Sequence, residues 1–293
     1  MIYNIYNLRD FDTALNESTN GDIIDGEGIT IDLKYFRYSI RKNLEFRNIN
    51  FDKIWSNSKS NNFTAFTIQR KAGLILEKCE FTPYYTTPSN VKSEVVGFIK
   101  AEKASYIEAD HCIFNKANYM GIHLYDCPHA LITNAEFNYD SPDNGYGYGI
   151  WQGGKGNTID QQLRVFDSKF RKTRHAVAGH YNSNHIHMER CEFWDNVQQV
   201  LDRHAGHPDD PKAWGIGGGN YRVIDCTFHD KDTGPIDVQV PLNNKIITAI
   251  GNKFNRPNGK CLKLDAMIDG VETTLNETSG HPQVQWGDNY YSN

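Results

Sequence analysis

The sequence has no dominant charge, no cluster of cations, no long apolar run and no closely spaced cysteine pair. Each absence removes a class of function. Net charge is −5 and Lys and Arg are scattered, whereas a nucleic-acid groove needs clustered cations against phosphate; no nucleic-acid partner is expected. No segment approaches the roughly 20 apolar residues of a membrane-spanning helix, so no membrane partner is expected. The opening MIYNIYNLRDFD lacks the basic and apolar regions of a signal peptide. The expectation is a cytoplasmic protein, or one released by cell lysis. Pro/Ser-rich linkers are missing, which favours a single domain over residues 1–293. Without a CxxC pair, neither a zinc site nor a redox dithiol is expected. Aromatic residues, by contrast, reach 12%, so they must carry much of the packing or binding.

What is present is a repeat. An apolar–any–apolar run, a small residue or Cys, and then an aromatic recurs as LEFRNINF ending at Phe51, LILEKCEF at Phe81 and IEADHCIF at Phe114. It continues through ALITNAEF at Phe137, LRVFDSKF at Phe170, IHMERCEF at Phe193, YRVIDCTF at Phe228, IITAIGNKF at Phe254 and VQWGDNYY at Tyr291. Apolar residues alternate with period two, as in strands. Anchors are 23 to 37 residues apart, with 23 occurring twice. Short strands with loops of variable length describe a β-helix, a solenoid whose insertions stay at particular corners. The fold class is therefore all-β, a parallel β-helix of about nine or more coils, with the anchor aromatics stacked inside. Cys79, Cys112, Cys191 and Cys226 share the inward phase two residues before an anchor and read as small core residues, reduced. A helix over LRDFDTALNES would cover the open end. Residues 1–40 are assigned to this cap and 41–293 to coils, with loop insertions at 54–62, 82–94, 138–149, 205–219 and 268–283.

A second strand follows most anchors, with its eighth residue apolar (Ile122, Ala178, Leu201, Ile236, Leu262) and the ninth and eleventh outward. The outward ladder reads His123 and Tyr125, Trp151, Gly179 and Tyr181, Asp202 and His204, Asp237 and Gln239, then Lys263 and Asp265. An idle solvated face would carry Thr, Ser, Asn and Lys. This one carries rings that stack on sugars, beside carboxylates and imidazoles that handle hydroxyls and protons. Trp151, Tyr125, His123, Gln239, Lys263 and Asp265 are the candidate substrate-binding residues. Six histidines fall between His175 and His207; His185 and His187 lie on another strand face and read as surface. By strict counting His180 and Arg203 fall inward. Either they form a buried polar pair, or the strand ends before them and they turn out.

Two chemistries suit these residues. β-Elimination on a uronic-acid glycan needs a cation for the carboxylate, a base for the C5 proton and an acid for the leaving oxygen. Arg203, His204, His175, His180 and Tyr181 are the candidates, with His204 and Asp202 at the centre. Glycoside hydrolysis needs two carboxylates, and Asp202 and Asp237 hold the same ladder position on neighbouring coils. That pair would alternatively bind calcium. A non-catalytic glycan-binding module is the remaining alternative.

With Arg174-His175 opening one coil and Asp202-Arg203-His204 ending the next, the chain resembles the pectate-lyase-like right-handed β-helix proteins. Among these it is most similar to bacteriophage tail spikes and tail-associated depolymerases. The resemblance covers roughly 20–293 in architecture and 170–207 in motif. It implies a polysaccharide partner, a bacterial surface or capsular glycan, a homotrimer and a virion-associated protein. The calcium-binding Asp cluster and Arg of pectate lyases, and the Asn-x-Asp and Asp-Asp signature of polygalacturonases, do not occur as motifs.

Overall fold

The computed structural model describes all residues except 35, 55–62, 85–95, 118, 141–146, 154–160, 181–183, 197, 205–219, 230–234, 241–245, 257, 259, 269–270 and 293. Among the described residues, nineteen strands form one sheet and ten a second. All pairings are parallel except that of Leu262–Ile268 with Val271–Leu275. A representative coil runs through Tyr106–Asp110, Ile113–Asn115 and Met120–Tyr125. The first two strands belong to the first sheet and the third to the second. The chain is a parallel β-helix, right-handed as parallel crossover connections are.

The repeat is the register. Phe114 pairs with Phe81 and with Phe137, and the series continues through Phe170, Phe193, Phe228, Phe254 and Tyr291. Phe137 and Phe170 stack at 4.6 Å with rings 2° from parallel; Phe193 and Phe228 stack at 4.9 Å. One contiguous core of buried residues runs from Ile5 to Leu275, with the anchor phenylalanines essentially inaccessible. All six cysteines are buried and free. The corner after each first strand holds one left-handed residue, among them Lys78, His111, Asn134, Asp167, Arg190 and Asp225. That single residue turns the chain without breaking the parallel ladder.

The helix at Leu8–Glu17 covers the N-terminal end as expected. Asn7 caps it, its Oδ1 accepting from the Asp10 amide at 3.0 Å, and Phe11 sits edge-on to Phe46 and Phe51, each at 5.5 Å. Three assignments need correction. The strand Asp22–Lys34 already pairs in register with Leu44–Ile54, so coils begin inside the segment read as cap. The insertion at 138–149 gives up its end to a strand beginning at Tyr148. The segment 268–283 contains the antiparallel strand Val271–Leu275; its alternating Val-Glu-Thr-Thr-Leu is a strand pattern that the surrounding polar residues obscured. The insertion at 205–219 lies outside the described residues.

Candidate active site

The second sheet presents one face to solvent, and its register fixes which residues are neighbours. One column runs Ser39, Thr67, Lys100, His123, Trp151, Ala178, Asp202, Asp237 and Lys263. The sequence ladder is thus right at His123, Trp151, Asp202, Asp237 and Lys263. It slips by one residue in the coil after Phe170. There Val177 pairs with Ile150 and Leu201, so Ala178 takes the ladder position and Gly179 joins the column of Gln152 and Arg203. The connection in that coil is one residue shorter than those after Phe114 and Phe193, which counting from the anchor cannot anticipate. Gln152 is fully buried, so Arg203 is in register with an inward column. His180 is in register with Gly153 and His204, the outer column that begins at Glu102 and Tyr125. Tyr181 lies outside the described residues, as do the side chains of His180, Arg203, His204, Asp237, Gln239 and Asp265.

A third outward column was not foreseen. Met120, Tyr148 and His175 are in register, because Gly121 and Gly149 turn inward against the phenylalanine stack. A Cβ on Gly149 would lie 2.9 Å from the Phe170 ring and 2.6 Å from the Ala176 carbonyl. Only a residue without a side chain lets the backbone approach this closely. The signal was a Gly or Ala just before the apolar residue of the second strand, at Gly121, Gly149 and Ala176. Tyr119 and Met120 form a small cluster with Tyr148 and Trp151, separate from the main core. Trp151 is half-buried, and His123 meets it edge to face at 4.6 Å. Burial, and secondarily Lys100, pushes the His123 imidazole down to about 3; it is a neutral ring at physiological pH. Tyr125 is half-buried, its hydroxyl pushed up first by burial and then by Asp126 and Glu102.

His175 is the most constrained polar group on this face, only 1% exposed. Its Nδ1 lies 2.8 Å from the Gln199 carbonyl oxygen, which can only accept, so Nδ1 carries the hydrogen. Nε2 lies 3.3 Å from Asp202 Oδ2, an ion-pair distance without hydrogen-bond alignment. A bare nitrogen lone pair against a carboxylate would repel. The contact is attractive when one proton resides on the pair, on Nε2 or on Oδ2. Tyr148 stacks on His175 at 5.5 Å. Arg174 donates to the Tyr148 hydroxyl at 2.6 Å and to Gln198 Oε1 at 2.8 Å. The ring is thereby held from one side by Tyr148 and from below by the Gln199 carbonyl.

The arrangement joins an aromatic shelf, the small residues Ala178 and Gly153, and the His175–Asp202 pair beside a second aspartate position. Asp202 and Asp237 are adjacent rungs, about 4.8 Å apart along the backbone. Lys263, exposed, is the next rung. Among the described residues no group of three or more His, Cys, Asp and Glu is placed to hold a metal, and no helix is long and apolar enough to cross a membrane.

No protein-family model matches the chain, and no curated protein matches its sequence. Among solved structures it is similar to an alginate lyase from Paenibacillus sp. str. FPU-7, with a TM-score of 0.47 and 12% identity over 100% of this chain and 99% of that one. It is also similar to an endo-xylogalacturonan hydrolase from Aspergillus tubingensis, with a TM-score of 0.47 and 9% identity over 92% and 74%. A pectate lyase from Paenibacillus sp. 0602 gives a TM-score of 0.44 and 10% identity over 100% and 84%.

Proposed function

We propose that the chain is a polysaccharide-degrading enzyme, a lyase that cleaves a uronate-containing glycan by β-elimination on the outer face of the second sheet. The observation that carries this reading is the buried His175–Asp202 pair opening onto the same face as Trp151. Burying an imidazole and a carboxylate together is costly for stability, so a buried pair of this kind is a candidate for function rather than for support of the fold. Trp151 offers a platform for a sugar face, with the small Ala178 on the next rung between it and Asp202. Asp202 beside His175, and His204 with His180 on the next outward column, are the groups proposed to take the C5 proton and return one to the leaving oxygen. Lys263, with Tyr181 as a hydrogen-bond donor, is the candidate to neutralise the substrate carboxylate; Arg203, in register with the inward column of Gln152, is not. A bacterial surface or capsular glycan is the candidate substrate, and a homotrimer the candidate assembly.

Hydrolysis is the second reading, favoured by the register of Asp202 with Asp237. Their backbone spacing of about 4.8 Å is nearer the retaining than the inverting separation of carboxyl groups. The same two aspartates are where calcium would bind. Incubation with acidic and neutral polysaccharides, following ultraviolet absorbance and reducing ends together, tests the proposal. Elimination leaves an unsaturated, absorbing uronate at the new non-reducing end for every new reducing end released. Reducing ends without absorbance would replace elimination by hydrolysis. Binding without any new ends would leave a glycan-binding module.

A further inference from the structure

The face continues beyond Trp151 toward the N-terminal coils, and its chemistry changes there. A recess of about 180 Å³ opens between Arg37, Thr64, Thr67, Lys100, Tyr119 and His123. That is the volume of about six liquid waters, room for a charged sugar substituent and part of its ring. A second depression adjoins it, lined by Arg41, Gln69, Arg70 and Glu102. Among the described residues that line the two are four cations and one carboxylate, although the chain as a whole is acidic. Lys100 pairs with Glu102 at 3.2 Å, and both are substantially exposed. Such exposed pairs are weak, so Lys100 exchanges Glu102 for another anion at little cost.

We propose that this recess is a subsite for an oxyanion on the glycan, a sugar carboxylate or sulfate, bound by Lys100 and Arg37 with the Thr64 and Thr67 hydroxyls as neutral donors. The inference rests on the reading of Trp151 and Asp202 as the cleavage region, because it places the recess on the same bound chain. His123 is three rungs from Asp202, about 14 Å at the strand spacing. An oligosaccharide lying along the solenoid axis, passing over Trp151, reaches both. A single sugar does not. Thr64 and Tyr119 are nearly buried, so the floor of the recess is fixed and only the two cationic side chains adjust.

The test is calorimetric binding of three hexasaccharides to the Asp202→Asn protein, in which the probes are not consumed. They are an oligogalacturonate carrying carboxylates, a heparin-derived oligosaccharide carrying sulfates, and a neutral cello-oligosaccharide. Lys100→Gln and Arg37→Gln, which keep much of the side-chain stem, should each weaken binding of an acidic probe by about tenfold or more. The neutral probe should be unaffected, and added salt should reproduce the loss. A greater loss for one acidic probe identifies carboxylate or sulfate as the group bound. The proposal is overturned if neither acidic probe binds, if both variants bind them like the parent, or if the neutral probe weakens equally. Binding at the recess with no cleavage of any polysaccharide by the unsubstituted protein would sink the enzyme reading and leave the subsite standing.

Discussion

The inner and outer columns of the solenoid use the same register and obey opposite rules. Inside, an aromatic ring recurs from Phe51 to Tyr291 at every coil, because each ring packs on the one before and the one after. Outside, the second sheet carries Thr67, Lys100, His123, Trp151, Ala178, Asp202, Asp237 and Lys263, with a different chemistry at almost every rung. Sequence variation on a scaffold that otherwise repeats is the mark of a surface answering to something other than its own stacking. The inner column should therefore respond to substitution in stability, and the outer column in binding and turnover.

The largest expected effect tests the inner column. Phe193 lies between Phe170 at 5.5 Å and Phe228 at 4.9 Å, with no accessible surface. Phe193→Ala should cost about 3–5 kcal/mol in urea unfolding, from lost transfer energy and the cavity left behind. A cost below about 1 kcal/mol would break the comparison, since the stack would not be the core. Next in size is the reacting pair. Asp202→Asn keeps the shape but not the carboxylate facing His175, and His204→Ala removes the imidazole of the adjoining column. Each should lower kcat by at least about a hundredfold on the polysaccharide found to be cleaved, with folding retained. Full turnover in both would move the centre toward His180 or Asp237.

The inner column was legible in the sequence because a ring or a small residue at a fixed offset has one explanation in a stack. Cys191 and Cys226, buried as expected, follow from their phase alone. The outer face was legible only where the connection kept its length. Between Phe170 and Val177 the connection is a residue short, and the ladder position passed from Gly179 to Ala178. Tyr148 was hidden for a different reason. Gly121 and Gly149 lie against Phe137 and Phe170, a departure from strict alternation that adds an outward column. His175 was recognisable as a candidate by residue type, but its contact with Asp202 joins two successive coils and depends on their register. The recess around Lys100 and Arg37 had no sequence signal, since its residues come from several separate coils.

Trp151 separates the two rules most cleanly. It is aromatic like the inner column yet half-buried on the outer face. If it serves as a sugar platform, Trp151→Ala should weaken glycan binding by about tenfold, the scale of one lost aromatic contact. Its melting temperature should stay close to the parent's. Unfolding of the variant instead would place Trp151 with Tyr119 and Met120 as a structural cluster.

The smallest expected effect concerns His123, whose ring packs edge to face on Trp151. Burial, and then the neighbouring Lys100, lowers its imidazole from 6.5 to about 3. Below 6.5 the unfolded chain takes up a proton there while the folded chain does not until near 3. The unfolded state binds more protons across that window, so stability rises with pH. The contribution of His123 is fully present at neutral pH and is lost progressively as pH falls from 6.5 toward 3. His123→Phe removes the titration while keeping a flat ring against Trp151. Urea unfolding at about pH 7 and about pH 5 should show a smaller loss in the variant than in the parent, the difference cancelling the other histidines. Lys100→Gln should recover only a minor part of the slope, because burial is the larger cause. Equal slopes in parent and His123→Phe would mean that the ring is hydrated when folded, and that the outer face is open to water as far as Trp151.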